Sequence, residues 1–412
     1  MRMQMHKLNS SDFARSDSTA SANTQPATAQ SAASTRSRSV ALREVCYSRH
    51  NNLNLIRFIA ALAVIFSHSF SVTQGANSPA TFLDQLTADR LSFGGLAVGI
   101  FFLYSGFLIA KSCERHASFA EFFRKRVLRI FPELLVCVIA CVIIAGFCLS
   151  SLGAVQFFTN LLTYKYLLNA CLIPVHSLPG VFETNPYPAV VNAALWTLPV
   201  EFVCYVFCYA LYRLTAFDPK RMLVFSLIPS AALAAYIVVG HNFMLSAVRA
   251  VLEFYIGVLL WSLKGSIKLN IYAASFAGLL FIGLCVTGYD LAAMLIAFPY
   301  LCLWFGWGTR HIYDSFSAKQ DYSYGIFLWG FPVQQTLVWL FMNHAGAPMP
   351  FWLNTLLSWG IAAELTWLTA QFLRALNSVS NRLRSVDTTQ SQHPSQPHRQ
   401  HPQQPQRPPQ SH

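Results

Sequence analysis

Arg57 and His68, eleven residues apart in one apolar stretch, are the first pair in this sequence whose types and spacing could do chemistry. On a helix, eleven steps of about 100° come to roughly 1100°, close to three full turns, so both side chains share a face about 16.5 Å apart along the axis. They would line one groove at two depths. Histidine is the side chain most used as a general base near neutral pH, and a carboxylate can fix its tautomer or stabilise its cation. Glu201 lies six residues into a second apolar stretch that should run the opposite way, which predicts a depth similar to that of His68. The two could meet. A histidine simply satisfied in a polar helix interface is the open alternative on residue chemistry alone.

A second constellation is basic. Arg124, Lys125 and Arg126, followed by Arg129, place Arg126 and Arg129 one turn apart on a helix that runs into apolar sequence at Ile130-Phe131-Pro132. Such a cluster can grip phosphates through paired hydrogen bonds, and it can equally be a charge block that only sets membrane orientation. There is no G-x-x-x-x-G-K-[ST] run, so ATP hydrolysis at a P-loop has no support. Arg249 and Glu253, spaced i, i+4, are expected to neutralise each other, whereas Glu364 has no obvious partner and is a second-rank functional candidate. The ten cysteines sit mostly in apolar runs without neighbouring histidines, so they read as small buried hydrophobes and no metal site is expected.

Positioning these groups falls to hydrophobic helices. Apolar side chains make up 54% of the 412 residues and charged ones only 11%, far below the ~25% charge of a soluble domain. The composition excludes an ordinary cytosolic enzyme and predicts an all-α, polytopic integral membrane protein. Stretches of about 20 residues, long enough for a bilayer core of ~30 Å, fall at 53–72, 93–112, 130–150, 195–213, 222–240, 244–263, 270–287, 290–308, 322–343 and 351–373. Residues 153–172, interrupted by Lys165 and Asn169, read instead as an interfacial or re-entrant segment. Basic residues gather on alternate loops, leaving Arg90, Lys165 and Arg249 on the other side, which predicts ten spans with both termini cytoplasmic. That bias also accounts for a formal charge of +12 without invoking nucleic acid, and no RNA- or DNA-reading module is present. Residues 1–45 and 377–412 are polar, the latter rich in Gln, Pro and His, and read as disordered tails around a membrane domain at 46–376.

Five segments, in order, carry a resemblance. They are Asn52 to Ser69 with its Arg57-x10-His68 spacing, Gly99 to Ile109 containing Phe101-Phe102 and Ser105-Gly106-Phe107-Leu108-Ile109, the loop Arg124 to Pro132, Leu195-Trp196-Thr197-Leu198-Pro199-Val200-Glu201, and Asp321 to Gln335. Together they resemble the acyltransferase 3 family of membrane-embedded enzymes that O-acylate, usually O-acetylate, glycans and other extracytoplasmic acceptors. The similarity covers roughly residues 51–375. Asn54 stands where many members carry an Asp three residues before the arginine, and Glu201 is followed by Phe202 where many have paired glutamates.

The resemblance implies a cytoplasmic acetyl-CoA or other acyl-CoA donor and no tightly bound cofactor. It also implies a hydroxyl acceptor on a polysaccharide, lipopolysaccharide or lipid-linked saccharide outside a bacterial inner membrane. His68 would be the base, Glu201 would orient it or bind the acceptor, and Arg57 would stand at the mouth of the groove. Arg126 and Arg129, with Arg124 and Lys125, would hold the donor. Ser105 and Gly106 would pack closely between helices, Ser105 alternatively accepting the acyl group for a time. Trp196, Tyr324 and Gln335 would line or build the site. A transporter or flippase, or a non-catalytic scaffold, are the rival classes.

Overall fold

The computed structural model describes residues 39–75, 81–115, 118–231, 244–310 and 321–390. Within them the regular structure is almost all helix, with one antiparallel strand pair, β1 (Val40–Ala41) against β2 (Lys268–Leu269), and a long irregular connection over 172–193. The long helices are α1 (Leu53–Gln74), α2 (Phe93–Arg115), α3 (Phe119–Ile144), α4 (Thr197–Thr215) and α5 (Met244–Ser262). They are followed by α6 (Ile271–Val286), α7 (Asp290–Gly308), α8 (Ser323–Ala345) and α9 (Phe351–Gln390). Helix α3 ends in a π turn, Ala145–Leu149, and α7 contains two, Ala293–Ala297 and Trp304–Gly308.

Among the described residues, Leu53–Gln74, Phe93–Arg115, Phe119–Leu149, Ala194–Thr215, Asp290–Gly308 and Ser323–Ala345 are long and apolar enough to cross a bilayer. The outward face of the bundle agrees: Phe276, Leu279 and Ile282 on α6 and Ile139 and Ile143 on α3 are exposed, an arrangement suited to lipid and costly in water. These features make the chain an integral membrane protein. Six qualifying helices fall short of the ten expected. Of the other four stretches, three coincide with α5, the 16-residue α6 and α9, while 222–240 lies partly outside the described residues. Residues 153–172 break into Ala154–Thr159, Leu161–Tyr166 and Leu167–Cys171, none long enough to cross.

Boundaries differ at both ends. Residues 1–38 and 391–412 lie outside the described residues, but Val40–Val45 do not behave as a loose tail: Leu42 is fully buried and its amide donates to the Ile267 carbonyl at 2.9 Å. Helix α9 continues past residue 376 to Gln390, since no proline interrupts the sequence before Pro394.

The closest helix contact is between α2 and α5. A Cβ added to Gly106 would lie 2.0 Å from the Phe254 carbonyl oxygen, and one added to Gly257 would lie 2.1 Å from that of Leu103. Only hydrogen fits at either position, which lets the backbones meet and fixes α2 as a wall of the site. Gly106→Ala should therefore force the two helices apart and cost about 1–3 kcal/mol or more. Thermal unfolding in detergent checks this against Gly283→Ala, whose Cβ meets open space.

Candidate active site

Between α1, α2, α3, α4 and α8 lies a cavity of about 150 Å³ whose polar lining is Arg57, Arg126, Arg129, Glu201, Ser105, Thr197, Tyr205 and Tyr324. One carboxylate partners two of the guanidiniums. Asp321, just before α8, ion-pairs with Arg57 from α1 and, at 2.9 Å, with Arg129 from α3. Its second oxygen accepts from the Ser323 amide at 3.1 Å and hydroxyl at 2.6 Å. Burial pushes the Asp321 carboxyl up, but the Arg57 and Arg129 guanidiniums more than offset it and hold it well below the usual carboxylate range.

Arg126 is half-buried over the Phe122 ring, its guanidinium 5.7 Å from the centroid, and its Nη2 donates to Ser112 at 3.4 Å. Its buried Nε has no hydrogen-bond partner among the described residues, which leaves a charged donor free for a ligand. Glu201 accepts from the Ser105 hydroxyl at 3.1 Å and the Tyr205 hydroxyl at 2.5 Å. Tyr324 donates to the Ile130 carbonyl at 3.0 Å, tying α8 to α3. The lining itself carries three guanidiniums against one carboxylate, Glu201, and is net cationic; Asp321 pairs with two of the guanidiniums and Glu133 stands one turn beyond Arg129.

A second, more polar cavity of about 720 Å³ adjoins it. His68 lines this second chamber together with Trp196, Asp84, Asp89, Arg249 and several serines. The imidazole stands edge-on to the Phe331 ring at 5.2 Å and makes no hydrogen bond among the described residues. Its position is set by its neighbours: the Gln334 amide donates to the Ser69 hydroxyl at 2.7 Å and the Ile65 carbonyl at 2.8 Å, and Ser69 donates to Asn354 at 3.2 Å. Three helices, α1, α8 and α9, are thereby locked one residue from the histidine. Val98, Thr197 and Phe327 line both chambers.

The expected meeting of His68 with Glu201 does not occur. Glu201 lies in the arginine-lined chamber, bonded to Ser105 and Tyr205, while His68 faces the other. Depth explains the difference. The long connection before α4 folds into the bundle, so Ala194 already belongs to the buried cluster that contains Ala60 and Val64, midway along α1. Seven further residues carry Glu201 about 10 Å deeper, to the level of Arg57.

Other expected residues divide. Arg126 and Arg129 line the cationic chamber, but Arg124 and Lys125 are exposed and outside it, Lys125 lying 3.2 Å from Glu121 one turn away. Trp196 lines the second chamber beside His68. Gln335 is fully buried and structural: its amide donates to the Tyr187 and Val190 carbonyls, both at 2.7 Å, fixing the connection before α4. Glu364 is exposed on α9 and lines neither chamber. Arg249 and Glu253 do pair, at 3.6 Å, against Gly95 and Gly99 of α2. Gly106 admits α5 closely, whereas Ser105 donates its hydroxyl to Glu201 in the chamber, a role other than the packing or acyl acceptance expected of it.

Asp321 and Tyr205 escaped notice in sequence. Asp321 stood inside a matching segment, and the asparagine at 54 was the signal that the Arg57 counter-charge had to come from elsewhere.

A family model described as an acyltransferase domain matches residues 50–369, most of the chain. The chain belongs to the acyltransferase 3 family. An O-acetyl transferase of Shigella phage Sf6 is 26% identical over 310 residues, covering 70% of this chain and 86% of the phage protein. Nodulation protein 10 of Rhizobium leguminosarum bv. viciae is 34% identical over 38% of this chain and 42% of its own length. Acyltransferase MdmB of Streptomyces mycarofaciens is 30% identical over 42% of this chain and 41% of its own. No solved structure matches the chain. As a member of the acyltransferase 3 family, it is an O-acyltransferase, moving an acyl group onto a hydroxyl.

Proposed function

We propose that this acyltransferase carries an acetyl group from cytoplasmic acetyl-CoA to a glycan hydroxyl on the far side of a bacterial inner membrane. In this reading the chain crosses ten times with both termini inside, as the distribution of basic residues suggests. The observation that carries it is the pair of adjoining chambers, one cationic and one polar with a histidine, sharing Val98, Thr197 and Phe327. The net-cationic chamber suits the phosphates of coenzyme A, with Arg126 and Arg129 as the ligands, while Arg57 is held at the inner end of α1 by Asp321.

His68 acts as the base. Its imidazole takes the proton of the acceptor hydroxyl as that oxygen attacks the thioester carbon. The C–O bond forms, the C–S bond breaks, and the proton passes to the departing CoA thiolate, so the products are the acetyl ester and CoA with its thiol restored. Glu201, held by Ser105 and Tyr205, supplies negative charge among the guanidiniums rather than orienting the base. The name of the phage relative, an O-acetyl transferase, supports acetyl as the group transferred here.

Purified protein in lipid, given radiolabelled acetyl-CoA and cell-surface glycans, should make labelled glycan. Charge reversal at Arg126 or Arg129 should raise the donor KM by at least about 10-fold, because a charge-assisted hydrogen bond is worth ~1.5–3 kcal/mol, with the acceptor KM changing less. Solute movement across the lipid in the absence of any acyl donor would instead return the transporter reading.

A further inference from the structure

We infer that the enzyme selects its acyl group by size where the two chambers meet, at Val98, Thr197 and Phe327. The inference rests on the donor lying on the arginine side and the acceptor on the histidine side, as proposed above. Those three residues are the lining common to both cavities. Around them the bundle is filled by small side chains: Ala60, Val64, Ala97 and Ala194 cluster with Phe327, and Ala63, Ile100 and Phe101 press on the cluster. Ala60 and Val64 lie on α1 between Arg57 and His68, so this seam separates the two ends of the groove along the axis that the donor has to cross.

The acyl group leads the pantetheine arm. In a thioester it is the terminal part, so it reaches the seam first, and every carbon beyond the carbonyl adds volume there. The seam has little freedom to yield. Val98 and Thr197 are β-branched and stiff at the first torsion, and the Thr197 hydroxyl is held by the Ala194 carbonyl at 3.2 Å. Phe327 is buried and stands edge-on to Phe101 at 6.1 Å, and Phe101 in turn lies beneath the Arg57 guanidinium, 5.8 Å from its ring centre. An opening bounded by such groups discriminates by shape, and one methylene in an apolar pocket is worth about 10- to 200-fold in kcat/KM. The ordering acetyl, then propionyl, then butyryl follows.

The test is a series of acetyl-, propionyl- and butyryl-CoA with the purified enzyme in lipid, alongside inhibition by free CoA. Wild type should favour acetyl over butyryl by about 10-fold or more, and Val98→Ala and Phe327→Leu should each shrink that ratio by about 10-fold, mainly by gaining butyryl transfer. Val98→Ile should act oppositely, losing propionyl transfer more than acetyl. Unchanged inhibition by CoA shows that the arginine chamber is intact in each variant, and two enlarging substitutions on different helices guard against one that misfolds. An acetyl-to-butyryl ratio that stays at the wild-type value in variants with intact CoA inhibition overturns the seam as selector while leaving acyl transfer standing. Wild type that uses all three donors equally overturns it too. Failure of the wild type to transfer from any acyl-CoA would remove the underlying donor assignment, and the seam with it.

Discussion

Replacing His68 with alanine should lower acyl transfer by about 10²- to 10⁴-fold, the usual contribution of a positioned general base, while leaving the protein folded. The second half of that expectation is specific to this structure. The imidazole makes no hydrogen bond among the described residues, so its removal strands no buried partner. What it touches is the Phe331 ring edge, a contact whose loss is small beside the Ser69–Gln334–Asn354 lock next door. Donor KM should change little, because the arginines stand in the other chamber. Labelled-acetyl incorporation measured with a melting curve in detergent decides the matter. Full transfer by a folded His68→Ala protein would strike the histidine from the mechanism.

Asp321→Ala is expected to have the largest effect on stability. The carboxylate joins Arg57 of α1 to Arg129 of α3 while its other oxygen caps the start of α8, so one side chain cross-links three helices. Removing one partner of a buried pair typically costs about 3–5 kcal/mol, and the lower end applies here because Arg129 also reaches solvent. Asp321→Asn should be milder, keeping the Ser323 contacts. Combining Asp321→Ala with Arg57→Leu should cost less than the two singly, since the stranded charge is gone. A double variant whose losses simply add would show that the residues are not coupled.

The same carboxylate fixes a pH expectation. Its folded pKa is depressed, so its stabilisation is complete above the unfolded value near 3.9 and declines only as pH falls from there toward the lower folded value. Melting temperature should therefore be insensitive to Asp321 between about pH 5 and 9. Any bell-shaped rate profile across that range belongs to other groups.

Much of the scaffold could be read from hydropathy because each span is a continuous apolar run: α1, α2 and α8 begin within a residue of where the sequence placed them. The start of α3 could not, since Phe119 to Arg129 is too basic to look like membrane helix, yet Ser118 caps it and the helix runs unbroken through Pro132. Residues on single helices were legible in the same way. Arg57 and His68 do line successive cavities along α1. Depth across helices was not, because it depends on how far the connection before α4 sinks into the bundle. That sinking is decided by Asn185 and Asn192, whose amides donate to the Gln335 and Leu328 carbonyls, both at 3.0 Å. Local pattern carries no trace of such pairings across more than a hundred residues.

The plug of alanines, valine and phenylalanine between the chambers has one more consequence. A bundle hollowed from both ends would conduct protons along any unbroken file of water and drain the gradient that a plasma membrane maintains. In the transfer proposed above, hydrocarbon around Ala60, Val64 and Phe327 would interrupt that file and keep the bilayer electrically tight while an acyl group crosses.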